Sequence, residues 1–193
     1  MEDFTLYFQL GWNHIISFDA LDHLLFIVSL TCIYNLIDWR KVLILITAFT
    51  LGHSLTLVLC SLNIIKFNNN WIEFLIPLTI IITSVYNILP HETGKSRNIQ
   101  WNYFMAFFFG LIHGMGFANT IRFMVAKTQT ITVPLLSFNI GIEVGQAIVV
   151  MSILYVTYIF TASAGLKQRW WTISMSLICG IIALYMSISR LPF

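Results

Sequence analysis

Six apolar runs divide the chain, at about Phe18–Ile37, Val42–Ile65, Trp71–Leu89, Trp101–Phe123, Val133–Phe160 and Trp170–Ile188. A helix needs roughly 20 apolar residues to cross a hydrocarbon core, so each run is a candidate span. Short polar links, such as residues 66–70 and 91–100, join them. Composition removes the soluble alternatives. Hydrophobic residues make up 58% and charged residues 9% of the 193 positions, where soluble domains carry about 25% charged. A soluble domain of this size has too few polar residues here to cover its surface. The expected fold is therefore all-α: a polytopic membrane helix bundle, one domain over 1–193, with about six transmembrane helices. The stretch Phe4–Ile16 is too short to span alone and is expected as an N-terminal interfacial segment. The fifth run is long enough to tilt, or to break near Pro134.

The partner expected for such a surface is the lipid bilayer. A net charge of +2, with ten scattered Lys and Arg, excludes nucleic acid. Cys32, Cys60 and Cys179 fall in different apolar runs without a CxxC pair and read as small buried side chains. The acidic start Met1-Glu2-Asp3 lacks the cationic region of a secretory signal, so an early apolar helix is expected to direct insertion. Trp39, Trp71, Trp101, Trp170 and Trp171 stand at predicted helix ends, where an aromatic belt would place them. One side of the predicted bundle carries Arg40, Lys41, Lys95, Arg97, Lys167 and Arg169, the other Lys66, Arg122, Lys127 and Arg190. Six against four puts both termini outside by the positive-inside rule.

Acids and imidazoles do not keep to the links as the basic residues do. Asp19, Asp22, His23, His53, Glu73, His113 and Glu143 fall within or at the edges of predicted spans. A carboxylate at mid-membrane costs about 2.5–3.5 kcal/mol, and the spans offer no Lys or Arg to offset it. Protonation, water or a bound cation would have to. Asp19, Asp22 and His23 share one helical face, as do Asn139, Glu143 and Gln146, while Thr47, Thr50, His53 and Ser54 form a third stripe. A lone intramembrane histidine can simply bond a neighbouring helix, and Gly110-x-x-x-Gly114 and Gly141-x-x-x-Gly145 read first as close-packing faces. Glu73 also suits a helix start, and His91 and Glu92 read as solvated. The joint pattern is what these separate readings leave uncovered. Imidazole with carboxylate suits nickel, cobalt, zinc or copper, and neutral histidine ligates without first losing a proton.

Several of these residues sit in recognisable motifs. Leu10-Gly-Trp-Asn-His14, Leu21-Asp-His-Leu-Leu-Phe26, Thr47-Ala-Phe-Thr-Leu-Gly-His-Ser-Leu-Thr56, Phe109-Gly-Leu-Ile-His-Gly-Met-Gly-Phe-Ala118 and Phe138-Asn-Ile-Gly-Ile-Glu-Val-Gly-Gln146 together resemble the HupE/UreJ family, in its more divergent second branch. The resemblance implies about six helices in a bacterial cytoplasmic membrane and a nickel or cobalt permease associated with hydrogenase or urease accessory systems. It matches His14 with Asp22-His23, and His113-Gly114, to the family's histidine motifs. No glutamate closely follows His113-Gly114, and Glu143, one helix later, is the carboxylate assigned in its place.

The expected function is thus a divalent-metal permease. Its ion would pass His14, Asp22, His23, His53, His113 and Glu143, with Asp19, Thr50, Glu73, Asn139 and Gln146 behind them or along the path. The ion is substrate, nickel or cobalt first, zinc or copper otherwise. No P-loop is present to power transport with a nucleotide. The alternatives are an intramembrane zinc hydrolase, favoured by Asp19-x-x-x-His23 but lacking HExxH, and a non-transporting membrane partner subunit. The glycine faces could also serve a homo-oligomer.

Overall fold

The structure, a computed structural model, describes residues 2–17, 20–90, 99–125 and 132–192. The helices α1 (Glu2–Ile16), α2 (Leu21–Thr31), α3 (Trp39–Ser61), α4 (Asn69–Ile88), α5 (Ile99–Val125), α6 (Thr132–Tyr158) and α7 (Gln168–Ser189) follow one another, with no strand among the described residues. A 3-10 turn, Leu36–Asp38, leads into α3, and a π-helical turn, Ile159–Ser163, extends α6. His91, Glu92 and Asp19 lie outside the described residues.

The helix α3 with its leading turn, α4, α6 with its extension, and α7 are each long and apolar enough to cross a bilayer. The 27-residue α5 has the length for another crossing. The first crossing departs from expectation. Phe18–Ile37 yields only the 11-residue α2, too short to span. Spanning length is reached when α1 and α2 are taken together, as two half-helices bent by 65°. The expected interfacial segment is therefore part of the bundle. Tyr7, Gly11 and Ile15 of α1 are buried along α6, and Gly145, which touches Ile15, stands halfway along that helix. The junction between α1 and α2 consequently lies at mid-depth.

Two glycine seams set this packing. A Cβ at Gly11 would overlap the Phe138 carbonyl, and one at Gly141 the Phe8 carbonyl, so α1 and α6 run in parallel with backbones touching. In the second seam Gly52 meets the Phe107 carbonyl, Gly110 that of Phe49 and Gly114 that of His53, bringing α5 along α3 in the same sense. Small residues permit such approach where lipid gives no hydrophobic drive. The glycine faces considered for a homo-oligomer are thus filled by the chain's own helices.

Pro134 does not break α6: it stands in the first turn, where its missing N–H has no partner to lose. Pro77, inside α4, leaves the Glu73 carbonyl without its helical donor. Several hydroxyls in the bundle are satisfied within their own helix, as Thr31 donates to the Ile27 carbonyl (2.7 Å) and Thr83 to that of Thr79 (2.8 Å). Between helices, Asn87 Nδ2 donates to the Ser29 carbonyl (2.6 Å) and Asn102 Nδ2 to Tyr34 Oη (2.8 Å). Arg169 closes the end of α4 by donating to the Asn87 and Ile88 carbonyls.

Candidate metal centre

Four histidines from four helices converge at this mid-depth level. His14 stands in the last turn of α1, His23 in the first turn of α2, and His53 and His113 near the middles of α3 and α5. The second glycine seam places His113 beside His53, because Gly114 lies on the His53 backbone. Ring centroids are 4.5 Å apart for His14 and His23, 5.0 Å for His23 and His113, and 5.9 Å for His14 and His53. One nitrogen each from His14, His23 and His53 lies within 4.8 Å of the others. Metal–imidazole bonds of about 2.0–2.1 Å hold three nitrogens roughly 3.4–3.6 Å apart, so each nitrogen would move inward by under about 1 Å to seat an ion.

Hydrogen bonding fixes which nitrogens face the centre. His23 Nδ1 is 3.1 Å from Asp22 Oδ1, and a carboxylate can only accept, so Nδ1 carries the proton and Nε2 a lone pair. His113 Nδ1 donates to the Phe109 carbonyl at 2.9 Å, with the same result. The Nε2 atoms of His14, His23 and His113 and both ring nitrogens of His53 are buried without a hydrogen-bond partner among the described residues. Each such group costs about 1–3 kcal/mol when left unsatisfied. A cluster of buried lone pairs lacking donors is what a cation would satisfy.

Aromatic rings wall the cluster. Phe117 lies 4.2 Å from the His14 ring and stacks on Phe138 at 5.0 Å, while Phe26 and Phe49 lie 5.0 and 5.2 Å from His113. A cavity of about 780 Å³ leads in past Glu73 and Arg190 and is lined by Asp22, His14, His23 and His113. His53, fully buried, stands behind that lining.

The other expected residues are distributed differently. Glu143 does not line the cavity: its Oε1 accepts from Thr47 Oγ1 at 2.7 Å, between α6 and α3. Thr50 Oγ1 lies 2.8 Å from Gln146 Oε1, one turn along the same pair of helices. Gln146 Nε2 and Asn139 Oδ1 are buried there without partners among the described residues. Glu73 is exposed at the cavity mouth. Asp22 corrects the expectation that the acids have no cationic neighbour: Arg190 Nη1, from the end of α7, is 3.4 Å from its Oδ2. Arg190 was legible only as a topology marker, because 168 residues separate the pair. Phe117 had a signal, standing four residues after His113 on one helical face.

A family model described as HupE / UreJ protein matches residues 1–190. The chain belongs to the HupE / UreJ family. No curated protein and no solved structure gave a match. Family and fold agree on a helical membrane protein, and the HupE / UreJ connection is with nickel and cobalt transport rather than with enzymes.

Proposed function

We propose that this HupE / UreJ protein is a permease for a divalent transition-metal ion, nickel or cobalt, in a bacterial cytoplasmic membrane. One observation carries the reading: four imidazoles from α1, α2, α3 and α5 converge at mid-depth with buried, unpartnered nitrogens beside an open cavity. The ion enters past Glu73, exchanges water for His14, His23 and His113, and reaches His53 behind them. The junction of the two half-helices supports this use. The C-terminal end of α1 turns its negative dipole toward a cation, and Asp22 in the first turn of α2 offsets the opposite end of that helix. Imidazoles that must reorient to contract on the ion hold it loosely enough for release. Both termini lie outside by the distribution of Lys and Arg.

Uptake of radioactive nickel into proteoliposomes tests the reading. The wild type is expected to accumulate nickel above empty vesicles, and a His23→Ala/His53→Ala double variant is expected to fall to the empty-vesicle rate. Transport by that variant at the wild-type rate would remove the cluster from the pathway.

Three histidines about one open cavity are also the ligand set of some hydrolytic zinc sites, which keeps the intramembrane hydrolase as a second reading. Zinc retained stoichiometrically through dialysis would favour it, whereas an exchangeable ion favours transport.

A further inference from the structure

We propose that Arg190 is a specificity-determining residue of this site: by engaging Asp22 it keeps carboxylate oxygen out of the ligand set and thereby disfavours hard divalent ions such as manganese. The inference rests on the metal-binding reading above.

Asp22 is the carboxylate that touches the histidine cluster, and both of its oxygens are occupied. Oδ1 accepts from the His23 backbone N–H at 2.9 Å and from His23 Nδ1 at 3.1 Å. Oδ2 faces Arg190 Nη1 at 3.4 Å. The guanidinium stays charged at every working pH, so protonation cannot release this hold. Among the described residues, an ion at the cluster then meets imidazole nitrogens alone. Imidazole suits nickel, zinc and copper, while magnesium, calcium and manganese depend on carboxylate, carbonyl and water oxygen. Glu73, the other carboxylate lining the cavity among the described residues, is exposed at its mouth and acts on arrival rather than at the cluster. Without Arg190, Oδ2 becomes a free anionic oxygen beside the imidazoles, lining the same cavity. The site turns from nitrogen-only to mixed nitrogen and oxygen, and manganese gains most.

Calorimetric titration of the purified protein in detergent, with nickel and with manganese separately, tests this. Arg190→Gln is expected to lower the nickel-over-manganese preference by about 10–100-fold, the usual size of an effect from a group behind a ligand. Arg190→Lys, which keeps the charge, is expected to lose less. Adding Asp22→Asn to Arg190→Gln is expected to restore the wild-type ratio, because no anionic oxygen then remains. An unchanged ratio in Arg190→Gln overturns the proposal, as does a fall that Asp22→Asn does not reverse, since Arg190 would then be merely structural. If Arg190→Gln does not fold, Asp22→Asn alone decides: losing the carboxylate charge weakens both ions alike and leaves the nickel-over-manganese ratio at the wild-type value here, whereas the ratio rises if Asp22 is a ligand to manganese. A wild type that binds neither ion sinks the functional reading as well, whereas nickel binding with an unchanged ratio sinks this inference alone.

Discussion

At the scale of single residues, the pairing of Asp22 with His23 shows how a neighbour in sequence decides what a ligand presents. The carboxylate holds the proton on Nδ1, so Nε2 is the nitrogen that faces His14 and His53. Asp22→Ala is therefore expected to weaken nickel binding about 10–100-fold by freeing the tautomer and the ring, as calorimetry would show. His53 makes the opposite case. Both its ring nitrogens are buried without partners among the described residues, so in metal-free protein it costs stability. Replacing a buried unsatisfied polar group with an apolar one relieves that cost. His53→Leu is expected to stabilise the metal-free protein by about 1–3 kcal/mol. It should also shrink the rise in Tm that nickel gives the wild type, since a ligand stabilises only the state that binds it. Thermal unfolding with and without nickel reads both effects.

Among elements, the seam between α3 and α5 matters most for the site, because the Gly114 contact with the His53 backbone brings together the two helix segments that carry His53 and His113. Gly114→Val would push the helices apart. Overpacking of this kind costs about 1–3 kcal/mol, and here it also separates His113 from His53, so Tm and nickel affinity should fall together. Gly180 offers the contrast: a Cβ there would stand 3.3 Å from Ser84 Cβ, a shift of a few tenths of an ångström. Gly180→Ala should lower Tm far less and leave nickel binding unaltered. The α1–α2 junction belongs to this scale too. Hydropathy over about 20 residues marks Phe18–Ile37 as a span and Phe4–Ile16 as too short, yet α1 ends at Ile16 and α2 begins at Leu21. The crossing is shared across the two segments, and no sum along the sequence shows where such a crossing divides.

For the whole molecule, the cavity opens on the side where α4 begins and α5 and α7 end, the side that carries Glu73 and Arg190. In the proposed topology, with both termini outside, that side is external. A phosphatase fused after residue 193, active only outside, is expected to be active, and fluorescent protein fused at the same place dark. The reverse pattern would make the cavity an exit rather than an entrance.

Apolar runs of span length, and a charge content too low for a water-exposed shell, determined by themselves that this chain builds helices in a membrane, because transfer to hydrocarbon is a local sum over about 20 residues. The sequence also picked out His14, His23, His53 and His113, since polar groups in apolar runs need a reason to be there. Only the tertiary structure decided that these four meet, that Glu143 instead takes the Thr47 hydroxyl, and that Arg190 reaches Asp22. Those outcomes depend on backbone contacts at glycines in different helices and on partners as far as 168 residues apart. Periodicity says which face of a helix a side chain is on, but not which helix that face will meet.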